Sequence, residues 1–221
     1  MRRATPAALI AAALLATGCG SSKQSSAPPP TATTRNTTAT TTTPATHRSL
    51  TVLDLVNIIG QAPDTPAGAD YAADSRSTSL TLADLPTGTS EERATVRAFR
   101  RAGFRRIYQR SFNGALNVAD GTAYLFVSAA GSTKAFAVLK HTLEKPGGVS
   151  QRVTPLLADG LGEEAWAAHV TGGADGAVFL WRRGTLVVVA DMSCDASCGF
   201  DVVAAVRTYA DEIDQRAKET S

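Results

Sequence analysis

The N-terminus divides this chain into a segment that is removed and a segment that is able to fold. A basic start, Met1–Arg3, is followed by an apolar run, Ala7–Ala16, and by small residues before Cys19. The apolar run is too short to cross a bilayer, which takes about 20 residues. This order is typical of an export signal. Residues 1–18 are therefore predicted to be a cleaved signal peptide, and the mature chain is predicted to act outside the cytoplasm.

The residues before Cys19 indicate how the exported chain is held. Leu15–Cys19 resembles the lipobox of bacterial lipoproteins, in which a peptidase cuts before a cysteine whose thiol has been acylated. The resemblance implies that Cys19 is the lipidation site and that the membrane is a partner through the acyl chains, which suffice for stable anchoring. The predicted location is the outer face of the cytoplasmic membrane. An ordinary secretory signal is the alternative.

Residues 19–48 are predicted to be the lipidated cysteine and a disordered tether. Ser, Thr, Pro and Ala dominate this segment, which has too few large apolar side chains to offset its ordering entropy. As a coil it would span about 30 Å. All the charges in residues 1–48 are basic, so the chain from Ser49 onward carries 17 basic and 20 acidic residues. That balance argues against nucleic-acid binding.

The remaining chain divides again by composition. Leu50–Ile59 is apolar and ends at Gly60, which favours a short docked helix over a strand. Gln61–Ser79 is rich in Pro, Gly, Ala, Asp and Ser, as loops are. We therefore predict a short apolar segment and loop over residues 49–79 and a globular domain over residues 80–221.

The pattern within residues 80–221 predicts an α+β fold. Thr89 and Glu92 form a capping box before a helix, Gly103 fits a left-handed cap at its end, and Asn113-Gly114 is typical of a hairpin turn. A second helix is predicted with Ser132 as its N-cap and a last helix after Asp201, with strands alternating in between. The predicted strands are Leu80–Leu82, Thr122–Ala129, Ala165–Thr171, Ala177–Trp181 and Leu186–Asp191. Hairpin connections indicate an antiparallel sheet with about three helices packed mainly on one face.

The cysteines predict one covalent link. If Cys19 carries lipid, Cys194 and Cys198 remain as a pair, and their usual fate in an oxidising compartment is a disulfide. Two free thiols, or a metal or redox site, are the alternatives. The metal alternative has little support because no second cysteine pair completes a zinc site.

A basic stripe is the most unusual feature of the domain. Seven arginines lie between Arg93 and Arg110 without an intervening acid. The helical spacing of four of them places them opposite Val96 and Phe99: Arg93, Arg97, Arg100 and Arg101. One interpretation is contact with anionic lipid or a cell-wall polymer. The other is a solvated helix face whose arginines near the C-terminus complement the helix dipole.

No motif of catalysis or cofactor binding is present. The chain has no nucleophile elbow, phosphate loop, dinucleotide fingerprint or zinc-protease helix. His169 has no identifiable Asp or Ser partner in the sequence, so a structural role is favoured. No catalytic residue, metal or cofactor is predicted, and the chain is not expected to be an enzyme; a hydrolase with an unrecognised site is the least favoured alternative.

Three short motifs resemble a known group of proteins. They are Leu82–Pro86, Gly160–Trp166 and Trp181–Gly184 followed by Leu186–Val189. With them the chain resembles actinobacterial exported lipoproteins and, distantly, the extracellular sensor domain of PknH-type receptor kinases. The resemblance implies a ligand-binding or sensory accessory domain of the cell envelope. The alternative function is a structural or interaction lipoprotein that docks anionic envelope material through the arginine stripe.

Overall fold

The computed structural model describes residues 49–63, 74–114, 117–145, 150–194 and 199–220. The predicted signal peptide, Cys19, the predicted tether and Cys198 lie outside these residues. The helices are α1 Val52–Ile59, α2 Ser90–Arg101, α3 Ala129–Leu143 and α4 Val202–Thr220. The strands are β1 Asp74–Leu80, β2 Phe104–Asn113, β3 Asn117–Phe126, β4 Arg152–Leu156, β5 Glu164–Thr171, β6 Asp175–Arg183 and β7 Leu186–Cys194.

The strands form a single antiparallel sheet in the order β1-β2-β3-β7-β6-β5-β4. A hairpin joins β2 to β3, and β4 through β7 follow one another in the same antiparallel way, whereas β1 is connected to β2 through α2. The long connection through α3 returns the chain to the far edge, so β7 pairs with β3 at the centre. This arrangement confirms the predicted α+β class and the antiparallel sheet.

Helices cover both faces of this sheet, which corrects the prediction of about three helices mainly on one face. Along β7, Val188 and Ala190 belong to one core with α1 and α4, whereas Val187 and Val189 belong to another with α2 and α3. Alternate strand residues point to opposite faces. Because most residues of β6 and β7 are buried, both faces need a covering layer, and four α-helices of the described ranges supply it, two on each face.

Residues that precede Leu80 in the sequence form part of the core on the α1/α4 face. Leu55, Ile58 and Ile59 of α1 are fully buried and pack in one core with Trp181 and Tyr209. Strand β1 likewise precedes Leu80 for most of its length and pairs with β2. Residues of α1 and β1 thus pack with elements that follow Leu80, and α1 covers a core that would otherwise be open to water.

Local sequence explains where the helices begin. Thr89 and Glu92 make the predicted capping box at α2, and Gly103 has the positive φ of 73° expected after the helix. For α3 the prediction of Ser132 as the N-cap is wrong: Ser128 caps the helix and Ser132 is buried within it. None of the helices in the described ranges combines the length and apolar character needed to cross a membrane.

Candidate functional site

Three central strands align a row of polar side chains on the α2/α3 face. Ser111 of β2 lies opposite Asp120 of β3, and Asp120 lies opposite Asp191 of β7. Side chains that oppose each other on adjacent antiparallel strands have Cβ atoms about 5 Å apart. The register therefore places two carboxyl groups side by side in the middle of the sheet. We call these two residues the acid pair.

Asp120 is buried and Asp191 is half-buried, and the acid pair is only partly hydrogen-bonded. Asp120 is 2% exposed, and the Ser111 hydroxyl donates a hydrogen bond to its Oδ1. The Gln109 side chain also hydrogen-bonds to Asp120. Oδ1 of Asp191, by contrast, is buried without a hydrogen-bond partner in the described part of the chain. A buried carboxylate oxygen in that state is costly, and this cost favours the protonated acid.

Burial raises the pKa of both acids. For Asp191 burial is the main cause and the charge of Asp120 adds to it, so its pKa lies well above the ordinary value. For Asp120 burial outweighs the hydrogen bonds from Ser111 and Gln109, which lower the pKa. Two adjacent carboxyl groups without a base resist losing both protons. The acid pair accordingly keeps a proton to a higher pH than isolated aspartates would.

An apolar pocket of about 80 Å³ opens between α2, α3 and the same face of the sheet. The helices contribute Val96 and Phe99 on one side and Leu139 and Leu143 on the other. Ile107, Tyr124 and Val189 of the sheet form its floor. The only charged side chain among the lining residues is Glu92, so this pocket contains no base.

The α2 capping box fixes Glu92 at the pocket. Oε2 of Glu92 accepts a hydrogen bond from the backbone N–H of Thr89 at 2.7 Å, and Oγ1 of Thr89 accepts one from the N–H of Glu92 at 3.1 Å. Nη1 of Arg93 donates to the carbonyl oxygens of Thr87 and Gly88, each at 2.9 Å. These bonds hold the loop before α2 against the start of the helix and give this side of the pocket a defined shape.

The acid pair begins where the apolar floor ends. Val189 and Asp191 are successive residues on the same face of β7, which separates them by about 7 Å along the strand. Burial raises the pKa of the Tyr124 phenol, and the charge of Asp191 adds to this effect. The face thus passes from an apolar pocket to an acidic row within two residues.

The predicted arginine stripe lies away from the acid pair. Arg93 is committed to the Thr87 and Gly88 carbonyls, while Arg97, Arg100 and Arg101 project into solvent along α2. The stripe itself is therefore present, with its first member tied to a loop. Cys194 is buried at the end of β7, and because Cys198 lies outside the described residues, the disulfide between them stays a prediction.

Sequence reasoning missed the acid pair because its members meet only through the pairing of β3 with β7. The available signal was Asp191, an acid that directly follows the apolar run Val187–Ala190, but the sequence does not show which residue lies opposite it. It also missed the partner of His169: Nε2 of His169 lies 2.6 Å from Oδ1 of Asp175, on the opposite face of the sheet. Both side chains are partly exposed, and the described residues contain no group of three or more potential metal ligands.

The chain thus combines an antiparallel sheet covered on both faces with an apolar pocket and, two residues beyond the floor residue Val189, an acid pair. No protein-family model matches it, and no curated protein does. Among solved structures it is similar to the extracellular domain of PknH from Mycobacterium tuberculosis, with 11% identity over 76% of this chain and 93% of that one and a TM-score of 0.37. A putative uncharacterized protein from Mycobacterium smegmatis is similar at 11% identity over 70% of this chain and 98% of that one, also with a TM-score of 0.37. At these values neither likeness assigns this chain a family or a function.

Proposed function

We propose that this chain is an extracytoplasmic, membrane-anchored ligand-binding domain with a sensory or accessory role. Its ligand has a short apolar part that enters the α2/α3 pocket and a cationic or hydrogen-bond-donating group that meets the acidic residues. The observation that carries the proposal is the pairing of an apolar pocket that has no base with the unpartnered Asp191 carboxyl oxygen in the next position along β7.

The size of the pocket limits the apolar part of the ligand. A volume of 80 Å³ holds about six water-sized spheres, which corresponds to a short aliphatic segment. Burying four methylene groups contributes about 3 kcal/mol, so weak but measurable binding of simple amphiphiles is expected. The charge of the head group then decides between amphiphiles of equal length, because Glu92 lines the pocket and the acid pair lies beyond its floor.

Three probes with the same chain test the charge preference: hexylamine, hexanol and hexanoate. Thermal unfolding of the chain with each probe should show the largest stabilisation by hexylamine and the smallest by hexanoate. In the Asp191→Asn variant the advantage of hexylamine over hexanol should shrink, because one of the acids is gone. Equal stabilisation by all three probes would contradict the proposal.

A bulky side chain at the pocket tests the location. Thr95 lines the pocket, whereas its neighbour Ala94 is exposed. Thr95→Trp should abolish stabilisation by hexylamine, and Ala94→Trp, the matched control, should leave it unchanged. A loss in both variants would place the binding elsewhere.

The anchor is tested separately from the ligand. Metabolic labelling with an alkyne fatty acid should mark the protein, and Cys19→Ser should remove the label and release the chain from the membrane fraction. A protein that stays unlabelled while remaining in the membrane fraction would overturn the anchoring part of the proposal and leave the pocket part intact.

The exported location also predicts a disulfide between Cys194 and Cys198. The loop between them is short, so the chain-entropy model gives a stabilisation of about 2 kcal/mol. Intact mass measurement after alkylation should show no accessible thiol on either residue until a reductant is added. Alkylation of both thiols in the native, unreduced protein would refute the prediction.

A further inference from the structure

We infer that one end of the domain rests on anionic lipid headgroups of the membrane that holds Cys19. The surface comprises Leu53, Arg100, Arg101, Arg105 and Val127, and we call it the tether-end patch. This inference rests on the proposed lipid anchor for its geometry, but its test below uses an unlipidated chain.

The members of the patch meet where the described chain begins. Nη1 of Arg105 donates to Oγ of Ser49 at 3.5 Å, and the N–H of Val127 donates to the carbonyl of Gly103 at 2.9 Å. Ser49, Arg105 and Val127 line one open groove of about 660 Å³. Arg100 and Arg101 lie in the last turn of α2, three and two residues before Gly103, and Leu53 lies in the first turn of α1, four residues after Ser49. The patch therefore surrounds the point at which the tether joins the domain.

Exposed apolar side chains concentrate at this end. Four large apolar side chains in the described ranges are exposed, and two of them, Leu53 and Val127, are each 68% exposed. Val52, next to Leu53, is another of the four, so three lie near the tether junction. Exposed apolar groups beside basic residues are typical of surfaces that lie in a lipid headgroup layer.

The charge of the patch complements an anionic membrane. In the described part of the chain Arg100 and Arg101 have neither a hydrogen-bond nor an ion-pair partner from their side chains. The acid that lines the same groove, Glu163, is already bound to Arg182 and to the backbone N–H of Gly184, and Asp54, next to Leu53, accepts a hydrogen bond from the N–H of Thr51. The local excess of base is thus free to attract lipid phosphates, an attraction that acts over about 8 to 10 Å at ordinary salt.

The length of the tether permits this contact. Residues 20–48 separate the proposed anchor from Ser49, and a chain of this length, if it is the tether predicted from its composition, would span about 30 Å. The domain is therefore close enough for its attached end to reach the headgroups. The opposite end, where Arg152 lies at the start of β4, is held farther away.

Vesicle binding of the mature chain carrying Cys19→Ser tests the inference without an anchor. The chain should sediment with vesicles that contain about 30 mol % phosphatidylglycerol and not with pure phosphatidylcholine, and raising the salt from about 0.05 to about 0.2 M should weaken the binding. Arg100→Gln with Arg101→Gln should lower the affinity about tenfold. Lys140→Gln with Arg152→Gln, a control that removes the same charge from the far end, should lower it much less.

A tryptophan probe tests which end touches lipid. Val127→Trp should show a blue shift of its emission on addition of the anionic vesicles, whereas His141→Trp, in the last turn of α3 and about 18 Å along that helix from Ala129, should not. Equal loss of affinity in both double variants, insensitivity to salt, or a shift only at residue 141 would each overturn the inference. A patch variant that alters self-association but not vesicle binding would also overturn it, by making the patch a contact between copies of the chain.

Discussion

The two faces of the sheet treat buried acids in opposite ways. On the α1/α4 face, Asp214 of α4 is 1% exposed, and Nε and Nη2 of Arg183 donate to its two oxygens, each at 2.9 Å. Lys218 lies 3.0 Å from the same carboxylate. On the α2/α3 face, the acid pair has a hydroxyl, an amide and no base within hydrogen-bond distance among the described residues.

The difference is visible in the pKa values. For Asp214, burial opposes ionisation, but the hydrogen bonds and charges of Arg183 and Lys218 outweigh it and lower the pKa. For Asp191 burial is reinforced by a second acid, and the pKa rises. One face thus uses its buried charge to fasten a helix to the sheet, whereas the other face keeps buried acid beside an apolar pocket, which is the usual arrangement of a binding site.

The largest expected effect tests the closed packing of the α1/α4 face. Ile58→Ala should lower the free energy of unfolding by about 3 kcal/mol, because Ile58 is fully buried and the smaller side chain leaves a cavity in the core. Leu53→Ala, on the exposed side of the same helix, should change it by less than about 0.5 kcal/mol. Chemical denaturation measures both, and equal effects would show that α1 is not a core element.

The next effect tests the compensated acid. Asp214→Asn should lower the free energy of unfolding at neutral pH by about 2 kcal/mol, since Arg183 loses its partner while both bases remain partly exposed. A lowered pKa stabilises the fold above the ordinary value of about 4, and this stabilisation is lost as the pH falls through the folded-state pKa. The difference between wild type and variant should therefore vanish in acid. Asp211→Asn, which breaks an exposed pair with Arg207, is the control and should have almost no effect.

The pH dependence of stability that comes from the acid pair should have the opposite sign to that from Asp214. Because the pKa of Asp191 is raised, the folded chain binds the proton more tightly, and stability is lost as the pH rises from about 4 toward the folded-state pKa. Asp191→Asn should therefore raise the free energy of unfolding at neutral pH by about 1 kcal/mol and leave it unchanged below about pH 4. Denaturation of both proteins across this pH range measures the gain; a variant destabilised at neutral pH would mean that Asp191 is compensated after all.

The smallest effect concerns the rim of the pocket. Arg93→Gln removes the bonds to the Thr87 and Gly88 carbonyls and should cost about 0.5 kcal/mol, with weaker hexylamine binding because the loop before α2 loosens. Arg97→Gln, one turn further along the same stripe, should change neither quantity. Matching behaviour of the two variants would show that Arg93 is an ordinary member of the stripe.

The sequence by itself determined the features that depend on near neighbours. The capping box of Thr89 and Glu92, the positive φ of Gly103 and the hairpin after Asn113 are all formed within a few residues, so their spacing was sufficient to predict them. The alternation of apolar residues likewise predicted the strands around Trp166, Phe179 and Val188, and with them the α+β class. The strands that were not predicted, β4 and the part of β1 before Leu80, are edge strands that carry little of this alternation.

Only the tertiary structure decided which distant segments meet. The sequence around α1 does not indicate that Ile58 and Ile59 pack in one core with α4. The sequence around Asp120 likewise does not indicate that β7 places Asp191 beside it. Those contacts follow from covering two apolar faces of one sheet at the same time, which is a property of the whole chain. The local sequence pattern therefore could not predict the candidate site, because strand order brings its residues together. Strand order in turn depends on how the complete domain buries its apolar residues.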